Sequence, residues 1–104
     1  MKCISCGDVI PDDEPMRASI SQFVCGDEYI YSYWLCRPCN VYTVEVYHDR
    51  FFGDDDVFFL APMDRKTGDH CLQLIGTCPR PYDKNCGCEA HKALYRGVPD
   101  DTGD

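Results

Sequence analysis

Alternation of apolar and polar residues is the clearest pattern in the chain, and it falls between residues 18 and 35. Ala18, Ile20 and Val24 share one face of a predicted strand. The next segment places a mainly aromatic set on one face of a second strand: Tyr29, Tyr31, Tyr33 and Leu35. Residues 25–28 contain a glycine and two acidic residues, which are typical of a turn. The pattern therefore predicts a β-hairpin.

Shorter elements are predicted after the hairpin. Residues 57–61 form an apolar run suited to a buried strand or an extended linker, and residues 62–68 are predicted to be a loop. Short helices are predicted over 69–77 and over 89–96, the latter ending at a glycine. The last segment, 98–104, is acidic, and we predict that it is disordered.

Nine cysteines in 104 residues change this picture. So short a chain builds only a small core and usually needs crosslinks or metal ions. The first residues lack the apolar segment of a secretory signal, so we predict a cytoplasmic protein. In a reducing compartment, paired cysteines indicate metal or redox sites in place of disulfides.

Two Cys-x-x-Cys pairs are the strongest chemical signal. Cys3 and Cys6 form the first pair, and Cys36 and Cys39 form the second. Two intervening residues let both thiols of a pair reach one ion, and two pairs complete a tetrahedron. Gly7 can turn sharply so that backbone amides approach the sulfur atoms. We predict that these four cysteines bind one zinc ion.

The first cysteine pair with Gly7 has the form of a metal-binding knuckle. This knuckle, the hairpin and the second cysteine pair together resemble a treble-clef or zinc-ribbon module over about the first 50 residues, without indicating a specific family. Residues 40–52 fit both a helical and a strand period. Because a helix often begins at the second cysteine pair of zinc modules, we predict a helix there.

The same two pairs also resemble rubredoxins, in which Gly follows the first pair as Gly7 does here. Trp34, Leu35 and Cys36 are similar to the approach to their second pair. This resemblance implies iron and electron transfer as the alternative function. Asn40 departs from it, because a glycine follows the second pair in that family.

A second metal site is predicted near the C-terminal end. Cys78, Cys86, Cys88 and His91 supply three sulfur atoms and one nitrogen, with Gly87 allowing a tight bend. His70 and Cys71 are competing ligands for this site. On a helix Cys71 and Cys78 would lie roughly 10 Å apart, which favours Cys78. The prediction is two zinc ions per chain.

The charge balance limits the possible partners. The formal net charge is −8, and metal binding makes it more negative because the thiolates outweigh the ions. Nucleic acid would meet repulsion, so we expect a protein partner with a basic surface instead. The candidate contact surface is Tyr29, Tyr31, Tyr33 and Trp34, but packing of the aromatic residues of the hairpin onto the metal lobe is the favoured arrangement. No run reaches the roughly 18 apolar residues that span a bilayer, so no membrane contact is expected.

Catalytic patterns are missing from the sequence. Both predicted metal sites are closed by four ligands, whereas catalytic zinc keeps one position open. His48 is expected to be a structural histidine. A thiol enzyme using Cys25 or Cys71 remains a third alternative. We therefore predict an interaction module in preference to an enzyme.

The predicted fold class is a small metal-stabilised α+β domain, with zinc knuckles and a β-hairpin followed by short helices. Residues 1–52 form the four-cysteine module, and residues 53–97 carry the second site and pack on the first part as one unit.

Overall fold

A computed structural model describes residues 2–11, 13–50 and 53–95. The elements in chain order are β1 (Ala18–Val24), β2 (Asp27–Cys36), β3 (Val41–Asp49), β4 (Asp56–Phe59), β5 (Met63–Asp64), α1 (Arg65–Gly76) and α2 (Glu89–Ala93). The strands form one antiparallel sheet in the order β1-β2-β3-β4, and β5 also pairs with β3. The predicted α+β class is confirmed.

The predicted hairpin is β1 and β2, which pair from Ala18 with Tyr33 to Val24 with Asp27. Only Cys25 and Gly26 form the turn, so it is two residues shorter than predicted. Their φ angles are 52° and 88°. Two successive positive φ angles give a turn whose twist matches that of the strands.

The helix predicted over residues 40–52 is wrong, because residues 41–49 form β3. This strand pairs with β2 from Cys36 opposite Val41 to Glu28 opposite Asp49. The free edge of β2 offers a long row of backbone groups, and the β-branched residues of this segment favour a strand. Phe51 and Phe52, the end of the predicted helix, lie outside the described residues.

The apolar run at residues 57–61 forms β4, but the strand is not buried. All four of its residues are exposed. It pairs with the outer edge of β3, as β5 does, so the sheet crosses the predicted boundary between residues 52 and 53.

The loop predicted over residues 62–68 is also wrong. Met63 and Asp64 form β5, and α1 begins at Arg65, four residues before the predicted start. The Asp64 carboxylate accepts a hydrogen bond of 2.7 Å from the backbone amide of Thr67, which caps the helix. The second predicted helix is α2, but it ends at Ala93, with Leu94 as its C-cap residue, before the predicted end at residue 96. Residues 96–104, with its predicted end and the acidic tail, lie outside the described residues.

The main core lies between the sheet and the helices. Tyr31 and Tyr33 are buried in it with Tyr42, Cys71 and Leu94. The less favoured alternative, an exposed contact surface that includes Tyr31 and Tyr33, is therefore wrong. Tyr29 is half-buried and stacks on His48 at 4.1 Å between ring centroids. His48 is buried, and its Nε2 lies 2.8 Å from the Asp27 carboxylate.

A second, smaller core lies at the two Cys-x-x-Cys pairs. Cys3, Ile10 and Cys36 are buried in it, and Trp34 and Cys39 pack against it. Trp34 thus contacts the four-cysteine region, whereas the buried tyrosines contact the helices.

Candidate metal centres

Two knuckles with the same backbone geometry build the first centre. In the first, the amide of Gly7 donates to the carbonyl of Cys3 at 3.0 Å. In the second, the amide of Asn40 donates to the carbonyl of Cys36 at 2.7 Å. The residue after each second cysteine has a positive φ, 78° at Gly7 and 61° at Asn40. Asparagine is one of the few residues other than glycine that tolerate this conformation. The second knuckle therefore closes without a glycine.

The knuckles bring the four predicted sulfur atoms together. The Sγ atoms of Cys3 and Cys39 lie 3.5 Å apart, and those of Cys6 and Cys36 lie 3.7 Å apart. All four ligand atoms lie within 4.8 Å of one another. A tetrahedron with zinc–sulfur bonds of about 2.3 Å has sulfur–sulfur edges of about 3.8 Å. The cluster therefore has the size of a tetrahedral metal site, and its cysteines form no disulfide.

Backbone amides already favour a thiolate in this cluster. The amides of Ser5 and Cys6 lie 3.4 and 3.5 Å from the Cys3 sulfur. Burial raises the pKa of the Cys3 thiol, but these amides and the neighbouring thiols outweigh it and lower the pKa to about 6. Burial and the nearby sulfur atoms raise the pKa of Cys39 to about 12. Four sulfur atoms this close need a cation before all of them can carry charge.

The second centre is assembled at the ends of the two helices. Cys78 follows α1, and its amide donates to the carbonyl of Ile75 at 3.0 Å. Cys88 is the N-cap residue of α2, and His91 lies in the first turn of that helix. Cys86 belongs to the loop between them. The backbone of Gly87 does not have a left-handed conformation, so the bend predicted there does not depend on a glycine.

The donor atoms of the second centre converge as closely as those of the first. The Nδ1 atom of His91 lies 3.4 Å from the Cys78 sulfur and 3.3 Å from the Cys88 sulfur. The Cys78 and Cys86 sulfur atoms are 3.8 Å apart. These four ligand atoms also lie within 4.8 Å of one another. The two groups of cysteine and histidine side chains could thus each hold a metal ion.

The protonation of the second cluster follows from its packing. Burial raises the pKa of Cys88, but the imidazole and the backbone amide of His91 outweigh it and lower the pKa to about 6. Burial raises the pKa of Cys78 to about 11. The Nδ1 atom of His91 faces the sulfur atoms, whereas its buried Nε2 has no hydrogen-bond partner among the described residues. An imidazole that ligates through Nδ1 carries its proton on Nε2.

Gln22 is a positioning residue that the sequence analysis missed. Its buried side-chain amide donates to the carbonyls of His91 at 3.1 Å and of Leu94 at 3.0 Å. The preceding residue, Ser21, donates its backbone amide to the carbonyl of Pro81 at 2.8 Å. These bonds join β1 to the helix and the loop of the second centre. The sequence pattern could have revealed Gln22, because it is a polar residue between Ile20 and Val24 on the apolar face of the predicted strand.

The remaining candidates lie elsewhere. Within the described residues, Cys25 and Cys71 belong to neither cluster. Cys71 is buried in the main core, with its sulfur 3.8 Å from the Met63 sulfur, and Cys25 is exposed in the hairpin turn. His70 is exposed on α1. The structure therefore keeps Cys78 in the second centre and leaves His70 and Cys71 out of it.

In the described part of the chain, neither helix has the length and apolar character needed to cross a bilayer. No protein-family model matches the chain, and neither a curated protein nor a solved structure is significantly similar to it.

Proposed function

We propose that the protein is a small interaction module whose fold is held by two structural zinc ions. The observation that carries the proposal is that each cluster supplies four protein ligands at tetrahedral spacing. A site filled by four protein ligands leaves no position for substrate or water, and such closed sites are structural. The first ion would be held by Cys3, Cys6, Cys36 and Cys39. The second would be held by Cys78, Cys86, Cys88 and His91.

The proposed form is zinc-ribbon-like, since the second knuckle joins the antiparallel strands β2 and β3, and the first is flanked by an isolated antiparallel bridge between Lys2 and Val9. Segments 1–52 and 53–97 act in it as one unit. Thiolate sites of this kind suit the reducing conditions of the cytoplasm. The net charge of −8 favours a protein partner with a basic surface over nucleic acid or an anionic membrane.

Rubredoxin-like electron transfer at the first centre is the second candidate, and one observation favours it. Asn40 has the positive φ that a glycine would supply, so its identity is no obstacle to a rubredoxin-like knuckle. Amide groups directed at a thiolate also tune iron–sulfur centres. Visible absorption distinguishes the metals, because iron–thiolate centres are coloured and zinc–thiolate centres are not.

Metal analysis tests the proposal. Protein purified without added metal is analysed by native mass spectrometry, and two zinc ions per chain are expected. Cys6→Ser and Cys88→Ser variants should each lose one ion. Cys25→Ser, which changes an exposed cysteine outside both clusters, is the matched control and should retain two.

Chelation then tests the structural role. Removal of the metal by a strong chelator should unfold the chain, because a closed site contributes its binding free energy to folding. A chain that stays folded without metal, or that contains iron at the first centre, would contradict the proposal.

A further inference from the structure

The two edges of the sheet differ in how they are covered. The outer edge of β1 is contacted by the loop of the second centre, because Ser21 donates to the Pro81 carbonyl at 2.8 Å. The other edge is formed by β4, and no strand among the described residues pairs with its outer side. An uncovered strand edge carries backbone donors and acceptors that can pair with another chain.

The register shows which backbone groups of β4 face outward. Leu60 donates its amide to the Val44 carbonyl at 3.0 Å, directly beyond the strand. Hydrogen-bonded and non-hydrogen-bonded pairs alternate along an antiparallel ladder. The backbone groups of Phe58 and Asp56 therefore face β3, and those of Val57 and Phe59 face away from it.

Apolar side chains surround these outward groups. Val57 lies opposite Tyr47, and Phe59 lies opposite Glu45, so both project on the face of the sheet that is turned away from the main core. Val57 is 51% exposed, Phe59 is 41% exposed and Tyr47 is 39% exposed. Strand edges in natural proteins usually carry charged residues that prevent pairing. The exposed positions of β4 after Asp56 are apolar instead.

Carboxylates lie around this apolar edge. They are Glu45 opposite Phe59, Asp55 beside Tyr47, Asp56 in β4 and, close to them in the chain, Asp49 and Asp54. Arg50 offsets them in part, through a bond of 2.9 Å to Asp56. Asp55 accepts a hydrogen bond from the Tyr47 hydroxyl, which keeps a carboxylate beside the exposed ring. The edge therefore presents apolar contacts within a negative rim.

We propose that the outer edge of β4 binds an extended segment of a partner protein, which adds as a further strand and alternates apolar with basic residues. Strand addition uses the outward groups of Val57 and Phe59 for backbone hydrogen bonds. Apolar side chains of the segment pack on Val57, Phe59 and Tyr47, and basic ones face the carboxylate rim. A second copy of this chain fits less well, because it brings an equally acidic rim to the same edge. The inference rests on the proposed function only in taking the partner to be a protein.

In the test, the two-zinc protein is titrated with a synthetic peptide of alternating valine and lysine. Binding is monitored through the backbone amide chemical shifts of the protein in NMR spectra. The largest shifts are expected at Val57 and Phe59, and binding should weaken as salt is raised. A peptide with glutamate in place of lysine should bind at least about tenfold more weakly, because it brings like charges to the rim. Equal binding of both peptides, or shifts confined to other parts of the sheet, would overturn the proposal.

Val57→Pro is the informative variant. Proline removes an amide that faces away from β3, so the β3–β4 pairing is kept while the outward donor is lost. Peptide binding should fall by about tenfold or more, as expected for one lost backbone hydrogen bond and the steric block. Phe23→Ala, which changes an apolar side chain on β1, should leave binding unchanged. Undiminished peptide binding to Val57→Pro would refute the edge as the site.

Other occupants give different results. If the protein dimerises in sedimentation experiments and Val57→Pro abolishes the dimer, then the edge binds a second copy of this chain and not a partner segment. Peptide binding that appears only after deletion of residues 96–104 would assign the edge to this chain's own C-terminal segment. Either result contradicts the proposal. The zinc content is measured in the same samples, so failure at this edge is distinguished from failure of the two-zinc scaffold.

Discussion

Gly68 of α1 lies directly against the ring of Tyr42 on β3. A Cβ atom at position 68 would overlap three ring carbons of Tyr42. One residue further on, Asp69 accepts a hydrogen bond of 2.6 Å from the Tyr42 hydroxyl, and Arg65 donates to the same carboxylate at 2.9 Å. Tyr42 therefore fixes both the distance and the rotation of the helix on the sheet.

Gly68→Ala should destabilise the protein even though alanine is the better helix former. The added methyl group must displace the Tyr42 ring, and overpacking of this kind costs about 1–3 kcal/mol. Gly76→Ala is the matched control, because nothing lies within 4 Å of a Cβ at that position. Chemical denaturation of the zinc-loaded proteins measures both. Equal stability of the two variants would show that the helix does not pack on Tyr42 as described.

Alkaline pH should unfold the protein through its buried tyrosines. Burial and the hydrogen bond to Asp69 raise the pKa of Tyr42 to about 12, and burial also raises the pKa of Tyr33. Unfolded tyrosine has a pKa of about 10. The folded state thus holds these protons more tightly, so its stability is complete below about pH 10 and is lost as the pH rises toward 12.

Ultraviolet absorbance of tyrosinate measures this titration. Tyr33 and Tyr42 should ionise last, at the pH at which the protein unfolds. Tyr42→Phe should reduce the number of tyrosines that ionise in this last step by one. Ionisation of all tyrosines in one step near the ordinary pKa, with the fold intact, would be inconsistent with the buried positions.

Gln22→Ala should weaken the second metal centre without affecting the first. The substitution leaves the carbonyls of His91 and Leu94 buried without their donor, at a cost of about 1–3 kcal/mol for each unsatisfied group. Stepwise chelation followed by mass spectrometry should show earlier loss of one zinc ion. Gln73→Ala, at an exposed position of α1, is the control. Simultaneous loss of both ions, or loss equal to the control, would argue against this role of Gln22.

Alkylation of the native, metal-loaded protein should modify Cys25 first. Cys25 is exposed, whereas Cys71 is fully buried and burial raises its pKa to about 11. The thiolate is the reactive form, so Cys71 should react only after unfolding. Peptide mapping identifies the modified residue, and Cys25→Ser should abolish the fast reaction. Rapid modification of Cys71 would support a thiol-dependent activity over a scaffold.

Local patterns account for the parts of the fold that the sequence predicted. The turn at Cys25 and Gly26 and the spacing of each cysteine pair involve residues close together in the chain. Their geometry is therefore visible in short windows of sequence. The hairpin, the α+β class and two groups of candidate ligands could all be recognised in this way.

Two of the errors have their physical origin in distant contacts, and the third, the start of α1, in a local cap that was overlooked. Val41, Val44 and His48 fit one helical face. Val44, Val46 and His48 fit one strand face equally well, and pairing with the free edge of β2 decided the outcome. Alternation placed Tyr31 and Tyr33 on one face but did not show that α1 covers it. The early start of α1 depends on its cap at Asp64, which lay inside a segment predicted to be a loop.

The two ligand sets follow one another along the chain. Cys39 ends the first set before Cys78 begins the second, and the second is also held by a hydrogen bond from Gln22, far away in the chain, to His91. During synthesis, a ribosome-bound chain that has released residue 39 already carries all four cysteines of the first cluster. The second cluster is complete only after His91 has been released, and by then β1 is available to hold the loop in place. Wrong pairing between the two sets is therefore limited by the order in which the protein is made.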